Sequence, residues 1–310
     1  MVSPAAEGSR FPSGETEAVD ELERPVDADA GLPKVWAALS VAAALLSMLG
    51  STVGLLAPGS VYGKETAFLA DTATAQDLVG LVIVSPLLLV LAVLAVRGSL
   101  RSWLCWLGLL SFTVYNYAIY AFSIHFGPLF LVWVAVLGLS LFALIGGLTA
   151  LRTATVKTRL AVAPVRLSGW FLIVIATLFV LLWLSEIIPD LVAGRGSTSA
   201  ADWEVPSNPV HVLDLAFFLP AVFVSGVLLL RRHRFGYATA PAQLIFLALT
   251  CLPILATLVV ANARGHDPEW SVLVPIGVIA AATLVVLWRF LRTNSAHVLR
   301  RTESQVLHNG

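Results

Sequence analysis

Charge is what this chain has least of: 12% of its 310 residues are Asp, Glu, Lys or Arg, against roughly a quarter in an ordinary soluble domain. With 58% hydrophobic residues and a mean hydropathy of +0.88, it carries more apolar surface than a soluble core can absorb. Cysteine is nearly absent too. Cys105 and Cys251 both lie in apolar stretches, which leaves no disulfide framework and no paired-cysteine metal motif. The histidines form no HExxH, no serine sits in GxSxG, and no glycine-rich phosphate loop occurs, so the zinc-hydrolase, serine-hydrolase and nucleotide-binding classes lack their sequence signals. Gly50 to Gly54 and Gly146-Gly147 instead fall inside apolar runs, where glycine lets helices approach closely.

What the chain does have is eight apolar stretches close to the ~20 residues that cross a bilayer as helix. They run over Val35 to Ala57, Gln76 to Val96, Ser102 to Ser123, Pro128 to Leu151, Leu167 to Pro189, His211 to Leu230, Thr239 to Asn262 and Trp270 to Leu291. The expected fold class is therefore all-α, a polytopic membrane protein of about eight transmembrane helices spanning 34–292. Residues 1–33 carry eight acids, Pro4, Pro12, Pro25 and Pro33 and no apolar run, which reads as a disordered acidic tail; 293–310 reads as a second, short tail. Pro58 to Ala75, Asp190 to Val210 and Arg152 to Arg166 are the longer connections, and Pro86, Pro220, Pro253 and Pro275 are expected to interrupt their helices.

Orientation follows from the basic residues. With eight spans, all 19 Lys and Arg except Lys64, Arg195 and Arg264 fall on the side that holds both termini. The positive-inside rule makes that side cytoplasmic, in a cell membrane. Ten acids lie on or near the other side: Glu65, Asp71, Asp77, Glu186, Asp190, Asp202, Glu204, Asp214, Asp267 and Glu269. A negative outer mouth favours cations. The inner arginines read as anchors to the lipid bilayer, and nothing points to nucleic acid.

A shift of 134 residues lays the first three spans on the fifth, sixth and seventh, pairing Trp36 with Trp170, Pro86 with Pro220 and Arg97 with Arg231. The fourth and eighth spans match at a shift of 140, pairing Pro128 with Pro268. A parallel 4+4 internal duplication would do this; so would chance alignment of evenly spaced helices.

Polar groups concentrate in the outer half. Thr113, Asn116, Tyr120 and Ser123 share one helix face, Tyr117 borders it, and Tyr115 points elsewhere. In hydrocarbon such groups need partners. Asp77 and Asp214 near the starts of their spans have a structural alternative, stabilisation by the helix dipole, whereas Glu186 sits near a helix C-terminus where that dipole opposes it. His211 lies one turn before Asp214. The spacing of His125, His211, Glu186 and Asp214 gives no metal signature, and no metal or cofactor is expected.

The run Tyr115-Asn116-Tyr117-Ala118-Ile119-Tyr120, and the stretch Asn208-Pro209-Val210-His211-Val212-Leu213-Asp214-Leu215 with Pro220, Gly226, Arg231 and Arg232, resemble a group of bacterial multi-pass membrane proteins of no known activity. The resemblance implies a bacterial inner membrane and supplies no substrate. Together these readings place Asp77, Asn116, Tyr117, Tyr120, Glu186, His211 and Asp214 around one outward-facing polar pocket between the second, third, fifth and sixth spans. Its expected use is binding or transport of a small molecule or cation. The alternatives are a non-catalytic membrane sensor or scaffold, and an intramembrane lipid-modifying enzyme.

Overall fold

A computed structural model describes residues 31–292. The tail read over 1–33, except its last three residues, and the tail 293–310 lie outside the described residues. Among the described residues, eight helices are long and apolar enough to cross a membrane: α1 Lys34–Leu56, α2 Ala67–Val96, α3 Leu100–Ser123, α4 Phe130–Ala150, α5 Val165–Val192, α6 Pro209–Leu230, α7 Arg234–Ala263 and α8 Trp270–Leu291. The chain is an integral, multi-pass membrane protein. Its connections alternate between an end rich in arginine (97–99, 151–164, 231–233) and an end rich in acids (57–66, 124–129, 193–208, 264–269).

Helix starts follow local chemistry. Thr66, Ser99 and Asn208 each turn a side-chain oxygen to a backbone N–H of the first turn, and Pro209 occupies the first helical position, where its missing N–H costs nothing. The Thr66 cap starts α2 nine residues before the apolar run, so much of the expected loop Pro58 to Ala75 is helix. Two of the four prolines expected to interrupt helices do so in the same way. Before Pro86, the Ser85 N–H reaches back five residues to the Gly80 carbonyl; before Pro220, the Leu219 N–H reaches Asp214. One widened turn makes room for a ring that would otherwise strike the preceding turn. Pro253 lies within an unbroken α7, and Pro275 lies in the first turn of α8, where no intrahelical donor is needed.

These widened turns, Gly80–Val84 and Asp214–Phe218, are themselves 134 residues apart. The same register repeats in the turns that follow. Arg97, Gly98 and Ser99 donate to Val93, Ala95 and Leu94; Arg231, Arg232 and His233 donate to Val227, Leu229 and Leu228. Gly98 and Arg232 both adopt positive φ, 92° and 52°. At the shift of 140, the buried positions Val136, Ser140, Ala143, Gly146 and Gly147 of α4 fall on the buried Ile276, Ala280, Thr283, Val286 and Leu287 of α8. The same pattern, with a positive-φ residue, also ends α5 at 193–195 and α7 at 264–266, so it is a general helix ending; the matched widened turns and buried faces are what the first four and last four helices have in common. These two halves meet through α3 and α7, where Gly108 lies against Ala242 and Phe112 against Phe246, each pair at equivalent positions.

The halves are packed differently inside. Every buried residue of α1 is small: Ala37, Ser40, Ala43, Ala44, Ser47, Gly50, Ser51 and Gly54. That lets α1 lie close along α4 and α2, the way helices associate where lipid supplies no hydrophobic drive. Trp106 donates to Ser40 within this interface at 3.0 Å. In the second half, α5 packs tightly on α6, where Gly169 crosses Gly226, but buries nothing between Ala176 and Asp190.

Candidate functional site

The site is built from the acidic end inward. After α1, a short helical turn at Pro58–Val61 brings Tyr62 back over the bundle, where it is buried. Its hydroxyl donates to Asp77 Oδ2 at 2.5 Å. Burial, and then the Asp77 carboxylate beside it, push the Tyr62 hydroxyl far above its usual pKa, so it acts as a neutral donor. Asp77 is 3% exposed. Because α2 begins at Ala67, Asp77 stands in its third turn, too deep to owe its place to the helix dipole.

Tyr120 of α3 approaches from the other side. Its hydroxyl lies 2.9 Å from the Ala73 carbonyl and 3.2 Å from Asp77 Oδ1, and its single proton serves one of them at a time. Ser51 of α1 stands beside the carboxylate. A string of hydroxyls continues inward. Tyr117 meets Ser51 and donates to Ser47 at 2.8 Å, and Ser85, just past the widened turn of α2, donates to Ser47 at 3.0 Å. Tyr117 and Tyr120 stack with ring centroids 5.6 Å apart, and Trp133 of α4 closes over Tyr120. Gln76 Nε2 and Ser123 Oγ are buried without a partner among the described residues.

A second cluster occupies the opposite side of α3. Asp214, which opens the widened turn of α6, accepts from Trp183 Nε1 at 2.8 Å and has the Tyr115 hydroxyl beside it. His211 packs at a tilt against Trp183, with centroids 4.7 Å apart, and its Nε2 lies 3.4 Å from Glu186 Oε2. His211 is buried, whereas the Glu186 side chain is 45% exposed. With α5 continuing to Val192, Glu186 stands well inside its helix, and its partner is His211 rather than a helix end. The expected single pocket is thus two clusters: Asp77, Tyr117 and Tyr120 belong to the first, and Glu186, His211 and Asp214 to the second. Asn116 joins neither, being half-buried with no side-chain hydrogen bond among the described residues. The reason is angular. Residues 115 and 117 point about 200° apart on a helix, so one tyrosine run feeds two sides.

Comparison with protein-family models, with curated proteins and with solved structures finds no match to this chain.

Three further acids at this end are tied to bases. Asp71, also on α2, pairs with Arg264 at 2.9 Å and with His266 at 2.5 Å, both from the α7–α8 connection. Asp190 accepts from Arg195 and from the Thr198 N–H, closing the turn after α5, and Glu65 pairs with His125 at 3.0 Å. Asp71, Asp190 and Glu65 are thus spoken for in the negative mouth expected from composition. Asp77 and Asp214 are left with neutral donors only. Tyr62, Ser47 and Ser51 carry little signal in the sequence: Tyr62 lies in a connection between apolar runs, and the serines lie inside one. The i, i+4 spacing of Ser47 and Ser51, beside Gly50 and Gly54, was the available signal.

Proposed function

We propose that this membrane protein binds a small cation at Asp77 and moves it across a bacterial plasma membrane, with the arginine-rich end and both termini in the cytoplasm. One observation carries the reading. Asp77 is a buried carboxylate in a spanning helix, surrounded by hydroxyl groups and, among the described residues, by no base. An unneutralised charge in that setting is expensive, and intramembrane acids of this kind mark ion and proton pathways. Neutral donors let such a group hold either a charge or a bound cation, whereas a fixed arginine would lock it as a carboxylate. The positive-inside rule supports the orientation, and an impermeant thiol reagent added to whole cells is expected to label Lys64→Cys and spare Arg101→Cys.

The test is thermal unfolding of the purified protein across monovalent cations and pH, because a ligand that binds only the folded state raises its stability by mass action. The wild type is expected to gain stability with one of these cations and Asp77→Asn to lose that gain. Equal gains in both proteins would remove the site. A second reading, that the polar network only holds helices together as in a scaffold, draws on the Tyr117–Ser47–Ser85 bonds linking α1, α2 and α3. It predicts that Asp77→Asn lowers stability in every buffer alike.

A further inference from the structure

We propose that the cation taken up at Asp77 is the proton, delivered from the acidic end by Tyr62; this rests on the cation-binding reading above. The argument is one of space and of hydrogen bonding. A carboxylate offers about four lone-pair positions. Tyr62 donates to Asp77, Tyr120 shares its proton between Asp77 and the Ala73 carbonyl, and the Ser51 hydroxyl stands beside the carboxylate. On the remaining flank, the α1 backbone at Gly54 lies so close that a Cβ there would overlap Asp77 Oδ2 and the Tyr62 hydroxyl. A metal cation would have to displace the Tyr62 proton from Asp77 Oδ2 and find room where α1 presents backbone. A proton needs neither. Among the described residues, no three His, Cys, Asp or Glu side chains are grouped to hold a metal ion.

The groups that are present suit proton movement. Tyr62, Ser51, Tyr117, Ser47 and Ser85 carry hydroxyls, each able to donate and accept at once. In the uptake step, the Tyr62 O–H bond breaks as the proton passes to Asp77 Oδ2, and in concert the Tyr62 oxygen takes a replacement from a hydronium ion at the acidic end. The balance is one hydronium and one carboxylate giving one water and one carboxylic acid. Tyr62 is the member of the cluster outside the spanning helices, which places it first in line. The titratable groups facing Asp77 are Tyr62, Tyr117 and Tyr120. The Arg264 and His266 pair from the α7–α8 connection is engaged with Asp71 on the same helix.

The experiment is infrared difference spectroscopy of the full-length protein in liposomes after a pH jump, reading the C=O stretch of a protonated buried carboxylic acid. The wild type is expected to show a band that rises on acidification, is unchanged by sodium or potassium at fixed pH, and is missing in Asp77→Asn. In Tyr62→Phe, with folding checked by thermal unfolding, the band is expected to rise about tenfold or more slower at unchanged amplitude. Loss of the band on adding sodium or potassium at fixed pH would overturn the proton assignment while leaving cation binding in place. A wild-type difference spectrum with no band that Asp77→Asn removes, under any pH or cation, would overturn both. An unaltered rate in Tyr62→Phe would overturn the role of Tyr62.

Discussion

The two halves share one plan and differ at one groove. In the first, Trp36 of α1 lies over Gly146 of α4, and Gly147 beside it receives Trp106. In the second, Val286 and Leu287 stand where those glycines would be, and Trp170, the counterpart of Trp36, is 58% exposed. Two side chains thus fill the seat that α1 uses, and α5 touches α8 only sparsely. The first half is consequently closed around Asp77. The second leaves Glu186 half-exposed at its edge.

That contrast can be broken most sharply at Gly54. Leucine there would drive into Asp77 and Tyr62, and is expected to cost about 3 kcal/mol or more, measured by unfolding in detergent. Its counterpart Ile188 is half-exposed, and Ile188→Gly is expected to cost only about 1 kcal/mol, mostly helix propensity. Next, Gly146→Val copies the second half into the first. It should displace Trp36 and cost about 2 kcal/mol, with tryptophan fluorescence becoming accessible to lipid-borne quenchers. Tyr120→Phe removes one donor from a buried carboxylate and should cost about 1 to 2 kcal/mol. Tyr115→Phe should cost less, since Trp183 still serves Asp214. Smallest is Glu186→Gln, which alters a part-exposed pair and should change stability by about 0.5 kcal/mol or less. A larger loss there would mean that the second half is closed in the membrane.

The number and order of spanning helices were legible because each is a run of apolar residues, a signal independent of partners. The start of α2 was not. Ala67–Ala75 is a mix of alanine, threonine and an acid whose helix rests on the Thr66 cap and on burial against α1 and α7. Missing that turn misplaced Asp77 at a helix start and hid Tyr62. Tyrosines 117 and 120 were legible from polarity alone, but Asn116, equally polar, has no bond. Tyr115, set aside because it points away from the stripe, finds Asp214 there. Polarity marks the depth of a site along a helix; only the neighbouring helices decide which angle around it is used.

The meeting of α3 with α7, with Gly108 against Ala242 and Phe112 against Phe246, has the geometry of a two-fold homodimer, in which each surface faces its own copy. Here both copies are one polypeptide, so the contact forms at any dilution and neither half needs to stay self-complementary elsewhere. Two identical subunits would have had to carry Tyr115, Tyr117 and Tyr120 twice. Fused, the chain keeps them on one helix and lets that helix serve both sides, freeing the α7 counterpart to carry Leu249, Cys251 and Ile254 instead.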